Sequence, residues 1–346
     1  MTFESYHNLT KSIFLLKKSD EVSFVNLALQ VYDFQRKNCQ VYNSFLKLLK
    51  IHDFEPKNLN SILFLPISAF KSNEVLTRFF SNPNPLRFKS SGTGLQGHSV
   101  HQVTDPSLYL KSLQTSFQFF FENPEEYCFL ALMPSFIEKN TSSLAYMADV
   151  LIRNSNHPMS GFHPLINDTL CRKINLLKEQ GKKTIILGLT YLIQDLAQMG
   201  VNLGDAFVII ETGGMKGKRK EISKTEFYAE IEEKLGIKKI YSEYGMTELL
   251  SQAYSKKPGI FTTPPWMKIA IQSLDDPFQT AAPGKSGRIL IIDLANINSC
   301  AFIATDDLGW ILPSGEFELL GRIHGSDLRG CNLMLSDEAP CLGNQI

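Results

Sequence analysis

The sequence predicts an α/β fold built on buried β-strands, because compact apolar runs alternate with longer stretches of helical periodicity. The apolar runs are YCFLALM, KTIILGL, AFVIIE and RILIIDL, and the helical stretches span 106–121, 142–153 and 223–235. Short apolar runs between helices are typical of strands covered on both faces of a sheet. A chain of 346 residues, 43% of them hydrophobic, can bury such a sheet in one large domain or two ordinary ones.

The chain before these runs is predicted to be helical. Between residues 22 and 50, apolar side chains recur at three- and four-residue steps, the period of a helix. These positions are Phe24, Leu27, Ala28, Val31, Phe34, Val41, Phe45, Leu48 and Leu49. From about Gly284 onward, short strand-like pieces and turns indicate a smaller β-containing subdomain. We find no internal repeat and no low-complexity linker.

Composition argues against several classes of protein. The 35 basic and 35 acidic residues cancel, and the densest basic run, KGKRK at 216–220, is interpreted as a solvated loop, with anion contact as the alternative. We therefore expect no nucleic-acid partner. The sequence has no secretory signal and no apolar segment near the roughly 18 residues of a membrane span, so a cytoplasmic protein is expected. The six cysteines form no C-x-x-C pair and are expected to be free thiols.

A glycine- and hydroxyl-rich segment, KSSGTGLQGHS at 89–99, predicts a loop that binds phosphate. It contains G-x-G-x-x-G at 92–97, but no apolar strand and helix flank it as a dinucleotide fingerprint requires. It would be a P-loop only if His98 were lysine. Its hydroxyls and its exposed backbone N–H groups remain suited to an anion. A Gly/Ser surface turn is the alternative reading of this segment in isolation.

Five segments taken in order resemble the motifs of the adenylate-forming enzymes. They are SSGTG (90–94), ETGGMKG (211–217), YGMTE (244–248), ATDDLG (304–309) and LGRIHGSDLRGCNLM (320–334). The pieces GGMKGKRKE, SEYGMTELLSQAY, PPWMKI and DLRGCNLM resemble the acyl-protein synthetase branch, a component of bacterial fatty-acid reductase systems. The resemblance covers roughly residues 60–334. It implies an ATP- and Mg²⁺-dependent ligase that activates a carboxylic acid, expected to be a fatty acid, as an acyl-adenylate.

The resemblance also implies roles for individual residues. The phosphate loop would comprise Ser90, Ser91, Gly92, Thr93 and Gly94, and the adenine-side loop Gly213 and Gly214. Tyr244 would lie beside the adenine ring and Gly245 would let the backbone approach the nucleotide. Thr247 would bind a phosphate, and Glu248 would hold Mg²⁺, which prefers oxygen ligands. As alternatives, the glycines are simple turn punctuation, and Glu248 is the first acid of a helix through ELLSQAY.

The ribose contacts come from the last two motifs. Asp307 matches the aspartate that binds both ribose hydroxyls, a task that suits two acceptor oxygens. Asp306 stands where the family usually has glycine, so either acid could serve, or both could be turn residues. Arg322 would be a second contact to ribose or phosphate, its alternative being a surface charge.

The C-terminal region departs from the family pattern. Related synthetases carry a small domain there whose lysine contacts the reacting groups, whereas the 24 residues after Arg322 include no lysine. The expected fold is therefore the large domain without the usual C-terminal domain: an adenylation core over 1–320, largely helical over 1–85, then a hinge-like segment and tail over 321–346. Candidates to replace the lysine are His98, His101, Lys89 or a partner subunit.

The resemblance implies that the acyl group then passes to a thiol. In the acyl-protein synthetase branch the acceptor is a cysteine near the C-terminus, and Cys331 matches it, with Cys341 as a second candidate. Arg322 and Arg329 would lower the pKa of such a thiol. A reductase or an acyl-carrier protein is the expected partner. The alternatives are a buried structural Cys331, an acyl-CoA ligase, or a non-catalytic nucleotide-binding partner of an acyl-transfer complex.

Overall fold

A computed structural model describes residues 2–79, 82, 84–90, 97–213 and 222–323. The helices are α1 (Phe3–Leu15), α2 (Glu21–Asn38), α3 (Gln40–Leu48), α4 (Ala69–Ser72), α5 (Pro106–Phe120), α6 (Ser143–Ser155), α7 (Asp168–Glu179), α8 (Thr190–Ala197) and α9 (Lys224–Leu235). The strands are β1 (Leu65–Pro66), β2 (Leu86–Lys89), β3 (Val100–Val103), β4 (Cys128–Leu132), β5 (Gly161–Phe162), β6 (Thr184–Leu189), β7 (Phe207–Thr212), β8 (Ile240–Tyr244), β9 (Ala253–Lys257), β10 (Ile260–Thr262), β11 (Met267–Gln272), β12 (Gly287–Asp293), β13 (Phe302–Ile311) and β14 (Phe317–Arg322).

One large sheet runs through the described part of the chain and changes character at β8. Strands β5, β4, β6, β7 and β8 lie side by side in parallel. The sheet then continues through β9, β10, β14, β13, β12 and β11 in antiparallel pairing, with β1 added in parallel to β13. Strands β2 and β3 form a separate antiparallel hairpin.

The parallel half is built from the apolar runs of the sequence. Every residue of β4, β6 and β7 is buried, as expected for strands with helices on both faces. Packing is tight at Gly188, where a Cβ atom would come within 2.9 Å of Leu132 and 3.0 Å of Ile193. The predicted strands in all four apolar runs are confirmed.

The N-terminal helices confirm the predicted periodicity in α2 but not the buried face of α3. The apolar positions of α2, from Phe24 to Phe34, are buried. In α3 the buried residues are Tyr42 and Leu46, whereas Leu48 is 82% exposed. The chain leaves helical geometry at Cys39 between the two helices, so the period does not continue across the break.

The later helices begin at local capping groups. Asp105 accepts a hydrogen bond from the backbone N–H of Ser107, and Pro106 occupies the first turn of α5, where its missing N–H is not needed. Ser223 and Glu226 form a capping box at the start of α9. The helices predicted over 106–121, 142–153 and 223–235 are thus α5, α6 and α9.

The β-rich region expected near the C-terminus is present and belongs to the large sheet. Strands β12, β13 and β14 lie after Gly284 and pair with one another. Within the described residues, no helix is both long enough and apolar enough to cross a membrane. The boundary predicted at residue 320 stays a prediction.

Candidate active site

Two glycine turns lie side by side at the carboxyl edge of the parallel strands. Strand β7 ends at Thr212 and the neighbouring β8 ends at Tyr244. Gly213 follows β7 with a φ of 76°, a left-handed conformation that glycine adopts readily. Gly245 follows β8, and a side chain there would collide with the Glu243 carboxylate. Ligands of open α/β sheets bind outside this edge.

A tyrosine, an aspartate and an arginine meet next to these turns. The Tyr244 hydroxyl donates a hydrogen bond to Asp307 Oδ2 at 2.8 Å, and Arg322 Nε lies 3.2 Å from Asp307 Oδ1. Asp307 and Arg322 are partners in the β13–β14 pairing. The Tyr244 ring packs against Phe261 and Phe317, with ring centroids 5.7 and 5.4 Å away. Both oxygens of the Asp307 carboxylate are therefore oriented by neighbouring side chains.

Strand alternation separates Asp307 from its neighbour Asp306. Asp307 is 6% exposed and contacts Tyr244 and Arg322, whereas Asp306 is half-buried. Successive side chains of a strand face opposite sides of the sheet. Burial raises the pKa of Asp307, while Arg322 and the Tyr244 hydroxyl act in the opposite direction. Of the two adjacent acids, Asp307 is the one brought to the glycine turns.

The loop after Tyr244, residues 245–252, is not helical. It contains a turn at 247–248 with a hydrogen bond from Leu249 N to Met246 O, and β9 begins at Ala253. The alternative interpretation of Glu248 as the first residue of a helix is therefore wrong. Side chains from elsewhere in the chain hold the backbone of this loop.

Asn296 and Asp293 form hydrogen bonds with three residues of the loop, Glu248, Leu250 and Ser251. Asn296 Nδ2 donates to the carbonyl of Glu248 at 2.7 Å, and Asn296 Oδ1 accepts from Leu250 N at 2.9 Å. Asp293 accepts from the N–H groups of Leu250 and Ser251 at 3.2 and 3.0 Å, and from the Ser251 hydroxyl at 2.7 Å. Burial raises the pKa of Asp293 to about 6 even though these hydrogen bonds lower it.

His101 holds the same loop from the other side. Its Nδ1 lies 3.0 Å from the carbonyl oxygen of Thr247 and its Nε2 lies 3.0 Å from Ser299 Oγ. Because a carbonyl can only accept, Nδ1 carries the hydrogen and Nε2 accepts from the serine. The ring is 1% exposed, and burial lowers its pKa to about 4. With both nitrogens engaged, His101 is unsuited to the lysine's role, and that prediction is wrong for this residue.

His101 also connects the loop to the β2–β3 hairpin, which leads into the predicted phosphate loop. At the neck of the hairpin, Ser90 N donates to the carbonyl of Ser99, and Ser90 Oγ accepts from Ser99 N at 2.9 Å. His98 is exposed, and its Nδ1 lies 2.8 Å from the Ser90 carbonyl. Lys89 is exposed as well. Direct contacts thus join the hairpin to Thr247, and Tyr244 to Asp307.

The metal role of Glu248 stays a prediction. Glu248 is 4% exposed and lies in the turn at 247–248, whose backbone carbonyls are bound by His101 and Asn296. Among the residues described, no three His, Cys, Asp or Glu side chains cluster as a metal site. Magnesium commonly uses one or two carboxylates together with substrate phosphates and water, so a single glutamate is compatible with it.

Several predicted residues lie outside the described residues. They are Ser91, Gly92, Thr93, Gly94, Gly214, Arg329, Cys331 and Cys341. The four described cysteines are Cys39, Cys128, Cys171 and Cys300. Burial raises the pKa of each of these four thiols, which opposes formation of a thiolate.

Sequence reasoning missed two acids under the glycine turns. Glu243 accepts a hydrogen bond from Thr212 Oγ1 at 2.6 Å, and burial raises its pKa to about 7. Glu211 is fully buried and is bound by Thr190, Lys224 and Ser242. The sequence offered one signal for Glu243, namely its position directly before the tyrosine of YGMTE.

The fold of this chain matches the large-domain fold of adenylate-forming enzymes. Among solved structures, the fold is similar to ATP-bound MatB from Rhodopseudomonas palustris, with a TM-score of 0.52 and 14% identity over 68% of this chain and 47% of that one. It is similar to a 2-hydroxyisobutyryl-CoA ligase in complex with 2-HIB-AMP and CoA, with a TM-score of 0.62 and 14% identity over 88% of this chain and 70% of that one. A third similar structure is an o-succinylbenzoate CoA synthetase, MenE, from Bacillus subtilis, with a TM-score of 0.51 and 19% identity over 68% and 49% of the two chains.

Residues 16–339 match the family model described as acyl-protein synthetase, LuxE. The chain belongs to this family. The aligned part of this chain spans about half the length of MatB and MenE, and no curated protein sequence matches it. The predicted α/β large-domain fold and the predicted family are confirmed.

Proposed function

We propose that this protein activates a carboxylic acid as an acyl-adenylate with ATP and Mg²⁺, and then transfers the acyl group to a thiol. The observation that carries the proposal is the contact of Tyr244 and Arg322 with the two oxygens of Asp307, beside the glycine turn at Gly245. Orientation of both oxygens suits a carboxylate that binds a diol. The membership in the acyl-protein synthetase family supports the same reaction.

In the first step, a carboxylate oxygen of the acid attacks the α-phosphorus of ATP. An O–P bond forms, the bond from the α-phosphorus to the bridging oxygen breaks, and pyrophosphate leaves. Both reactants are anions, so donors and cations must offset the developing charge. Mg²⁺ would supply such positive charge, and Glu248 would hold it. Thr247 and Ser90 would bind phosphate oxygens, while Asp307 would hold the ribose and Tyr244 the side of the adenine ring.

In the second step, a thiolate attacks the acyl carbonyl, a thioester forms and AMP leaves with the electron pair of the broken C–O bond. We assign the thiolate to Cys331, with Cys341 as the second candidate. The raised pKa values of the four described cysteines support this assignment, because a thiolate is the reactive form. We further propose a fatty acid as substrate, a reductase or acyl-carrier protein as partner, and the cytoplasm as the location.

The experiment measures ATP–pyrophosphate exchange with Mg²⁺ and a panel of carboxylic acids of increasing chain length. Intact mass after incubation then detects acyl protein, which hydroxylamine should release. We expect exchange with the wild type and a loss of at least about 100-fold in Glu248→Ala. The matched control is Glu243→Gln, which replaces a buried carboxyl group by a carboxamide of the same shape whose oxygen can still accept from Thr212, and which should retain exchange.

The outcomes separate the competing functions. Exchange followed by a soluble CoA thioester, with no labelled protein, would identify an acyl-CoA ligase instead. ATP binding without exchange for any acid would identify a non-catalytic nucleotide-binding partner. Neither result is compatible with the proposed acyl-protein synthetase reaction.

A further inference from the structure

The loop that carries Thr247 and Glu248 has little hydrogen bonding of its own. Between the end of β8 and the start of β9, the backbone bond inside the loop is Leu249 N to Met246 O. Buried side chains from other elements bind further groups of the loop: His101, Asp293 and Asn296 lie at least 42 residues away along the chain, and Trp266 Nε1 donates to Ser251 Oγ at 2.8 Å. The position of the loop therefore depends on these side chains.

Asn296 makes full use of its amide in this arrangement. Its nitrogen donates to the carbonyls of Glu248 at 2.7 Å and Cys300 at 3.2 Å, and its oxygen accepts from Leu250 N at 2.9 Å. The side chain is fully buried. No other side chain of this size offers two donors and one acceptor in this geometry, so the asparagine is matched to the Glu248 carbonyl and the Leu250 N–H together.

We propose that Asn296 is a positioning residue for the nucleotide–metal site, and that His101 assists it by holding the neighbouring carbonyl of Thr247. The inference rests on the proposed function, because it assigns Glu248 to the metal. Asn296 touches neither substrate nor metal in this scheme. It fixes the backbone from which the Glu248 carboxylate projects, and precise placement of such groups governs the binding of a metal and the orientation of reactants.

Gln35 provides a matched control in the same region. It is also a fully buried amide, and it binds the 3₁₀ segment Leu294–Asn298 that contains Asn296. Its nitrogen donates to the carbonyls of Asn296 and Ile297, and its oxygen accepts from Ala301 N. It makes no hydrogen bond to residues 245–252. Loss of Gln35 should therefore lower the stability of the protein without removing a hydrogen bond to the loop at 245–252.

The experiment compares Asn296→Ala with Gln35→Ala by two readouts. The first is the Mg²⁺ concentration that gives half-maximal ATP–pyrophosphate exchange. The second is the increase in Tm caused by ATP with Mg²⁺ over that caused by ATP with a chelator, which reports metal-dependent binding without turnover. We expect Asn296→Ala to raise the required Mg²⁺ about tenfold and to shrink the Tm increase, while Gln35→Ala changes the Mg²⁺ requirement less than about twofold.

A second pair at His101 covers the case that Asn296→Ala does not fold. His101→Asn retains an amide donor where Nδ1 meets the Thr247 carbonyl, whereas His101→Leu removes it. We expect the leucine variant to raise the Mg²⁺ requirement and the asparagine variant to restore it toward the wild type. Equal Mg²⁺ requirements in both His101 variants, or in Asn296→Ala and Gln35→Ala, would overturn the inference.

Failure of the proposed function gives a different result. If the wild type binds ATP in a metal-dependent manner but exchanges pyrophosphate with no acid, the proposed synthetase reaction is refuted. The positioning role of Asn296 is then tested by the Tm measurement alone. Absence of any metal-dependent effect of ATP on the wild-type Tm would overturn both.

Discussion

Replacing Asp307 by asparagine removes one negative charge and nearly preserves the shape of the side chain. In the structure, one carboxylate oxygen accepts from Tyr244 at 2.8 Å and the other faces Arg322 at 3.2 Å. A carboxylate offers about four lone-pair sites, so about two remain for the hydroxyls of a ribose. A hydrogen bond to a charged group contributes about 1.5–3 kcal/mol, and the amide still accepts one. A net loss of about 2 kcal/mol predicts roughly 30-fold weaker nucleotide binding.

Isothermal titration calorimetry with AMP near neutral pH measures this effect, with circular dichroism to confirm that the variant is folded. Asp306→Asn is the control, because the same change is made one residue away on the half-buried face of β13. We expect the control to bind AMP within about twofold of the wild type, since it removes no contact with Tyr244 or Arg322. Equal weakening in both variants would refute the assignment of the ribose site to Asp307.

Three further predictions address the thiol, the buried acid and the core. Cys331→Ser should keep pyrophosphate exchange but lose hydroxylamine-labile acylation by intact mass; a fully acylated variant would move the acceptor elsewhere. Glu243 has an ordinary pKa of 4.5 and a folded pKa of about 7, so the folded protein binds this proton more tightly and stability falls as pH rises between these values. In urea unfolding, Glu243→Gln should reduce the loss of unfolding free energy between these pH values by up to about 1.4 kcal/mol per pH unit. If the pH dependence of the unfolding free energy is the same in the variant and the wild type, the raised pKa of Glu243 is contradicted. Gly188→Ala should destabilise by about 1–3 kcal/mol in the same assay, because its Cβ would meet Leu132 and Ile193; a stability equal to wild type would show that the strand can relax.

The parallel half of the fold could be predicted from sequence because its strands are buried on both faces. Such strands read as continuous apolar runs, and β4, β6 and β7 are wholly buried. The break between α2 and α3 could not be predicted, since the apolar spacing continues through Cys39 whereas the helical backbone conformation ends there. That break places Tyr42 rather than Leu48 in the core.

The residues of the candidate site could be predicted where they lie close together in the sequence and form one short motif. YGMTE brought Tyr244 and Glu248 to attention, and strand alternation later separated Asp307 from Asp306. Asp293 and Asn296 gave no such signal, because their roles depend on contacts with loop residues 42–48 positions away. An acid at the end of a strand and an asparagine just after it read as ordinary turn residues until the loop is packed against them.

The order of strands has a consequence for the shape of the site. Between β8, which carries Tyr244, and β13, which carries Asp307, lie β9, β10 and β14. Adjacent strands are about 4.8 Å apart, so a flat sheet would separate β8 from β13 by about 19 Å. The 2.8 Å hydrogen bond between the two side chains therefore requires these five strands to curl into a trough, with Phe261 and Phe317 wedged inside it. The rings of Phe261 and Phe317 thus support the Tyr244–Asp307 contact from beneath, and trimming either phenylalanine would shift the proposed ribose site without removing a polar group.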